Sequence, residues 1–222
     1  MNIIPSRVWP AVLAVSLLVV TLTVARISKV AADSGVSWVG HEVYSGARVN
    51  SATAADYDGD GCQEIIFSAA GKVFMFHGPD YKTKQVLASL ESKRPRSKAQ
   101  CIHSVLHDVD HDGDLDFVGS YVRGLFWLEC PGEKATTTTW KTHQITDEIH
   151  GVHCIRSFDI DQDGTLDLIA NDFTDGKGPY SGSICWLKPS TLPESGEMRW
   201  SIIPIARGSA PGGSHYFDFG DV

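Results

Sequence analysis

Asp108-Val109-Asp110-His111-Asp112-Gly113-Asp114-Leu115-Asp116-Phe117-Val118-Gly119 sets five acids at alternate positions around one glycine, then turns apolar. Two further stretches align with it without gaps. They are Asp56-Tyr57-Asp58-Gly59-Asp60-Gly61-Cys62-Gln63-Glu64-Ile65-Ile66-Phe67 and Asp159-Ile160-Asp161-Gln162-Asp163-Gly164-Thr165-Leu166-Asp167-Leu168-Ile169-Ala170. The three starts, at 56, 108 and 159, are 52 and 51 positions apart. Self-similarity at a fixed period of this length marks a repeat architecture, and the rest of the chain reads in that register.

Working outward, each acidic loop leads into a short apolar segment, a Gly-containing turn and a second apolar segment: Val73–Phe76, Leu125–Leu128 and Ile184–Leu187. A Trp-x-x-His-x-Val/Ile pattern follows as Trp140, His143 and Ile145, with weaker copies at Trp200, Ile203, Ile205 and at Tyr81, Lys84, Val86. Segments such as Cys101–Leu106 and Cys154–Phe158 lead back into the next loop. One unit therefore predicts four short antiparallel strands, with the acidic loop between the first two. Helical spacing of apolar residues is scarce beyond residue 32, so the expected class is all-β.

Four-stranded units suit the blades of a β-propeller. The expectation is about three blades within residues 33–222, with calcium loops at 56–64, 108–116 and 159–167. The Trp pattern also precedes the first loop, as Trp38, His41 and Val43, and is expected to form a closing N-terminal strand. His215 precedes Asp221 by six residues, as His153 precedes Asp159, so a fourth loop is expected to begin at 221. Closed propellers have about four to eight blades, so the expected ring is partial, from a truncated frame or a fragment.

The spacing D-x-D-x-D-G-x-x-D/E points to Ca²⁺, a hard cation that takes about six to eight oxygen ligands. Carboxylates at positions 1, 3 and 5 converge when the backbone curls: Asp56, Asp58, Asp60; Asp108, Asp110, Asp112; Asp159, Asp161, Asp163. Glycine at position 6 permits the bend. Position 7 (Cys62, Asp114, Thr165) offers its carbonyl, and the acid at position 9 (Glu64, Asp116, Asp167) closes the sphere. An EF-hand needs Glu at position 12, where this chain has Phe67, Gly119 and Ala170. Acidic turns without an ion explain one copy more easily than three in register.

On these loops, and on Ser68-Ala69-Ala70-Gly71-Lys72-Val73-Phe74-Met75-Phe76 as a Gly-rich turn into an aromatic strand, the chain resembles the FG-GAP/VCBS repeat proteins, the integrin-α-like calcium-loop β-propellers. The resemblance covers about residues 36–222. It implies one structural Ca²⁺ per loop at the residues named above. A Phe-Gly-Gly-Ala-Pro string does not occur, and the only Phe-Gly pair is Phe219-Gly220.

Composition narrows the function. The net charge of −8 and pI near 5.5, without a basic stripe, exclude a nucleic-acid partner. Arg7 precedes an uncharged run from Val8 to Ala25, so residues 1–32 are expected to be a signal peptide, or an uncleaved anchor through 8–25. Either way the remainder is exported, as a secreted, periplasmic or cell-surface protein. Five cysteines without CxxC spacing argue against zinc and read as small buried hydrophobes. His103, His107 and His111 are expected to be packed or solvated rather than metal ligands. His41, His143, His153 and His215 recur with the unit and are expected to make a repeated structural hydrogen bond. Trp127 and Trp186 are expected to pack between blades, with a sugar platform as the sharper alternative. Lys93–Lys98 reads as a solvated basic connection. No nucleophile elbow, phosphate loop or dinucleotide fingerprint occurs. The expected function is a calcium-binding adhesion or scaffold module for protein or carbohydrate. The alternative is a fragment of a carbohydrate-active enzyme, a polysaccharide lyase or hydrolase.

Overall fold

Alternating apolar side chains after each acidic loop produce strands buried on both faces. A computed structural model of the chain describes residues 39–90, 101–121, 123–174, 178–207 and 215–220. Its twelve strands form three four-stranded antiparallel sheets, each in simple sequential order. The first sheet holds β1 (Ala52–Ala55), β2 (Glu64–Ala69), β3 (Lys72–Phe76) and β4 (Lys84–Ser89). The second holds β5 (Ser104–His107), β6 (Asp116–Tyr121), β7 (Arg123–Glu129) and β8 (Lys141–His150). The third holds β9 (Ile155–Phe158), β10 (Asp167–Asn171), β11 (Ser183–Thr191) and β12 (Met198–Arg207). Each acidic loop joins the first strand of a sheet to its second, as the repeat predicts. The register repeats as well: Ile65 pairs with Phe76, Phe117 with Leu128 and Leu168 with Leu187.

The two-residue period of a strand sends alternate side chains to opposite faces. Ile66, Val73 and Met75 of the first sheet meet Phe117, Phe126 and Leu128 of the second. Val118, Leu125 and Trp127 turn the other way, onto Leu168, Cys185 and Leu187 of the third. The outer aromatic face of the first sheet, Phe67, Phe74 and Phe76, is covered by Val43 and Tyr44. A fully buried side chain of this size contributes about 1.5–3 kcal/mol, so the inter-sheet clusters are the main source of stability. Trp127, only 3% exposed, is core rather than a sugar platform. Cys101, Cys130, Cys154 and Cys185 are buried, and all five cysteines are free thiols.

A second link repeats between neighbouring sheets. The residue five before position 1 of each loop, namely Ser51, His103 or Cys154, reaches the residue 53, 52 or 63 positions further on. Ser51 Oγ accepts from Ser104 N–H at 3.0 Å and His103 Nδ1 from Ile155 N–H at 3.3 Å, while Cys154 Sγ donates to the Phe217 carbonyl at 3.7 Å. Phe219 also stacks on Phe158 at 5.0 Å. Residues 215–220 thus keep the contacts of an entering strand, although no strand is assigned there.

His103 accepts through Nδ1, which requires an unprotonated nitrogen. Burial, aided by the nearby Arg156, holds its pKa below the ordinary 6.5. Protonation therefore favours the unfolded chain, whose histidine titrates normally, and stability falls as pH drops through 6.5. Urea midpoints at about pH 7.5 and pH 5 should differ more for the parent than for His103→Asn, whose amide oxygen accepts at either pH. An equal acid loss in both chains would contradict this role.

The closing strand expected at Trp38–Val43 requires correction. Residues 39–43 carry no strand, and Val39 is 70% exposed. No described strand offers this segment a ladder, so Val43 is used for packing on the aromatic face instead. Trp38, the export segment over residues 1–32, Lys93–Lys98 and Asp221 lie outside the described residues. Among the described residues no helix is long and apolar enough to cross a membrane. The three sheets all fall within one unit, Val43–Val222, distinct from Met1–Glu42.

Candidate metal centres

The curl of each loop is set by two left-handed backbone positions. Position 4 (Gly59, His111, Gln162) has φ of 73°, 63° and 60°, and the glycine at position 6 (Gly61, Gly113, Gly164) has 88°, 98° and 91°. The second set lies farther from the region that L-residues tolerate, hence glycine in all three copies. The curl points N–H groups inward, and the position 1 carboxylate accepts from the position 6 amide. Asp56 does so at 2.9 Å, Asp108 at 3.2 Å and Asp159 at 2.9 Å. Position 5 accepts from the amide of position 7: Asp60 from Cys62, Asp112 from Asp114, and Asp163 from Thr165.

Position 9 has a role that the ligand spacing alone did not reveal. Glu64, Asp116 and Asp167 are buried and accept the N–H of position 2, from Tyr57 at 2.8 Å, Val109 at 2.9 Å and Ile160 at 3.2 Å. The other oxygen of Glu64 accepts from Gly78 at 3.3 Å, and that of Asp116 from Cys130 at 2.7 Å. The equivalent residue of the third sheet is Pro189, which has no N–H to offer. The acid therefore clasps its loop to the hairpin beyond. Burial pushes the Asp116 carboxyl up to about 7, with Asp110 and Asp112 adding to it, against two amides that favour the charged form.

Carboxylates converge in every loop. Asp108, Asp110 and Asp116 bring ligand atoms within 4.8 Å of one another, as do Asp159, Asp161 and Asp167. In the first loop two such groups overlap: Asp56, Asp58, Asp60 and Asp58, Glu64, His77. Asp108 Oδ1 and Asp110 Oδ1 are buried without a hydrogen-bond partner. Buried carboxylate oxygens with no donor are costly unless a cation or proton meets them, so an oxygen-seeking divalent ion fits this donor set. No family model, curated protein or solved structure matches the chain.

The remaining expected ligands are placed differently. Asp112 and Asp163 lie outside the converging trios and hold their own backbone. The side chains of Cys62, Asp114 and Thr165 at position 7 also lie outside them. Position 2 faces the core: Val109 is 1% exposed, and the Tyr57 ring packs against Trp140 while its hydroxyl donates to the Leu115 carbonyl of the second loop. Of the histidines, His107 pairs with Ser157 Oγ at 2.6 Å, and none of His103, His107 and His111 joins a converging trio. The expected repeated histidine bond does not recur in one form. His143 stacks on Trp127 at 4.3 Å and binds Glu129, whereas the His153 and His215 rings pack on each other and on Phe173.

One register position opposite position 3 went unnoticed in the sequence. It is the residue after Phe76, Leu128 and Leu187, namely His77, Glu129 and Lys188. His77 adds a nitrogen to the Asp58–Glu64 group. Glu129 lines a cleft of about 450 Å³ with Asp110, and its carboxylate is held by Lys141 and His143. Lys188 pairs with Asp161. Aligning the units beyond the loop would have exposed this position as the one where charge changes sign.

Proposed function

We propose that each loop binds one Ca²⁺ through the acids at positions 1, 3, 5 and 9, and that the three sheets are blades of a partial β-propeller of FG-GAP/VCBS type. On this reading the chain is exported, and its metal-stiffened loops make a binding or adhesion module for an extracellular protein or carbohydrate. The reading is carried by one observation: acids from positions 1, 3 and 9 converge in the second and third loops, and those from positions 1, 3 and 5 in the first, with two buried oxygens of the second loop left without a donor. Ca²⁺ would neutralise the crowded carboxylates and tie position 3 to the clasped acid at position 9.

Thermal unfolding of the full chain in excess chelator, then across a calcium titration, tests this. An ion that binds only the folded chain stabilises it by about 2.7 kcal/mol per site at a hundred times its dissociation constant. A calcium-specific rise in midpoint, smaller with Mg²⁺, is expected, and Asp110→Ala should remove part of it. A cooperative transition indifferent to calcium would make the loops acidic turns.

A further inference from the structure

The three loops share a ligand pattern but not a charge balance. At the register position opposite position 3, the first two sheets carry His77 and Glu129, whereas the third carries Lys188. The Lys188 ammonium pairs with Asp161, at position 3 of the third loop, and lies 4.7 Å from the centroid of Trp186. Asp161 is one of the three acids that converge there, with Asp159 and Asp167. The indole supports the lysine stem and orients its head toward the loop. Lys141 also lines the cleft that Glu129 shares with Asp110, but its ammonium pairs with Glu129, and Asp110 Oδ1 has no donor.

We propose that Lys188 is a tethered counter-ion of the third loop, which makes that loop the weakest calcium site of the three. The inference rests on the calcium reading above. A dication entering the third loop must displace the ammonium from Asp161 or share the carboxylate with it. In the second loop the same ion meets carboxylate oxygens that no donor occupies. At low calcium the first two loops fill, and the third keeps its own cation. The ion pair also compensates for the clasp bond that Pro189 removes from Asp167, a bond that the second loop keeps between Asp116 and Cys130.

Calorimetric titration of the chelator-stripped full chain with Ca²⁺ tests this. Two tight sites and one about tenfold weaker are expected, the order for one unit charge a few ångströms away in a partly hydrated site. Asp161→Asn should abolish the weak site alone. Lys188→Met, which keeps the stem over Trp186, should tighten the weak site about tenfold and leave the others unchanged. Glu129→Lys should weaken the second loop by a similar factor. Three equal sites unmoved by Lys188→Met would overturn the counter-ion while leaving calcium binding intact. No calcium binding in either chain would overturn the calcium reading and this inference with it.

Discussion

Asp116→Ala should cost about 3–5 kcal/mol of folding stability in chelator, before any metal effect is counted. Its two oxygens accept the N–H groups of Val109 and Cys130, residues only 1% and 4% exposed. Removing the carboxylate orphans two buried donors at about 1–3 kcal/mol each. Asp116→Asn keeps one acceptor oxygen and should lose about half as much. Asp110 makes the informative contrast. Burial, and the charges of Asp112, Glu129 and Asp108, push its carboxyl upward. Asp110→Ala therefore relieves crowding, and in chelator it should be near neutral while losing the gain that calcium brings. Urea unfolding of both variants, with and without calcium, separates a clasp from a ligand. A harmless Asp116→Ala in chelator would remove the clasp.

Gly124→Ala should be as damaging, at about 4 kcal/mol or more, for a reason unrelated to metal. Gly124 has φ of 100°, and a Cβ there would lie 1.8 Å from the Thr146 carbonyl oxygen and 2.7 Å from its carbon. Both are backbone atoms of β8, so no rotamer change relieves the contact. The β7–β8 ladder already shifts register here, between Arg123 and Leu125, and the glycine lets the strands stay paired through the irregularity. Gly182 is the control. It also has positive φ, at 68°, but a Cβ there meets nothing within 4 Å, so Gly182→Ala should cost only about 1–2 kcal/mol. Equal midpoints for the two variants in thermal unfolding would refute the close-approach argument.

Much of the fold was legible because two periods coincide in this chain: side chains alternate along strands, and whole units recur. The acids at 56, 108 and 159 fixed the loops, and Val73–Phe76, Leu125–Leu128 and Ile184–Leu187 all fell within β3, β7 and β11. What escaped depends on partners that spacing does not specify. Trp38–Val43 has the pattern of an outer strand, but a pattern cannot supply an edge to pair with. Position 9 was legible as a ligand and not as a clasp, because its second donor lies fourteen residues on, across a hairpin, at Gly78 or Cys130. Lys188 is legible only when the strands beyond the Gly-containing turn are aligned as well as the loops. The third unit is longer between β10 and β11, so the lysine is twenty-one residues past Asp167, whereas Glu129 is thirteen past Asp116. Strand register, not sequence distance, shows that they correspond.

The links made by Ser51, His103 and Cys154 bear on how such a chain can grow. In each, one partner is a side chain of the unit itself and the other a main-chain group, which any sequence supplies. A hydroxyl, an imidazole and a thiol all serve, so the position can drift without losing its neighbour. A copied stretch of about 51 residues brings its own fastening and needs no matched mutation in the unit beside which it lands. Lengthening by tandem duplication, or shortening by recombination between copies, therefore leaves this one link intact at each surviving joint.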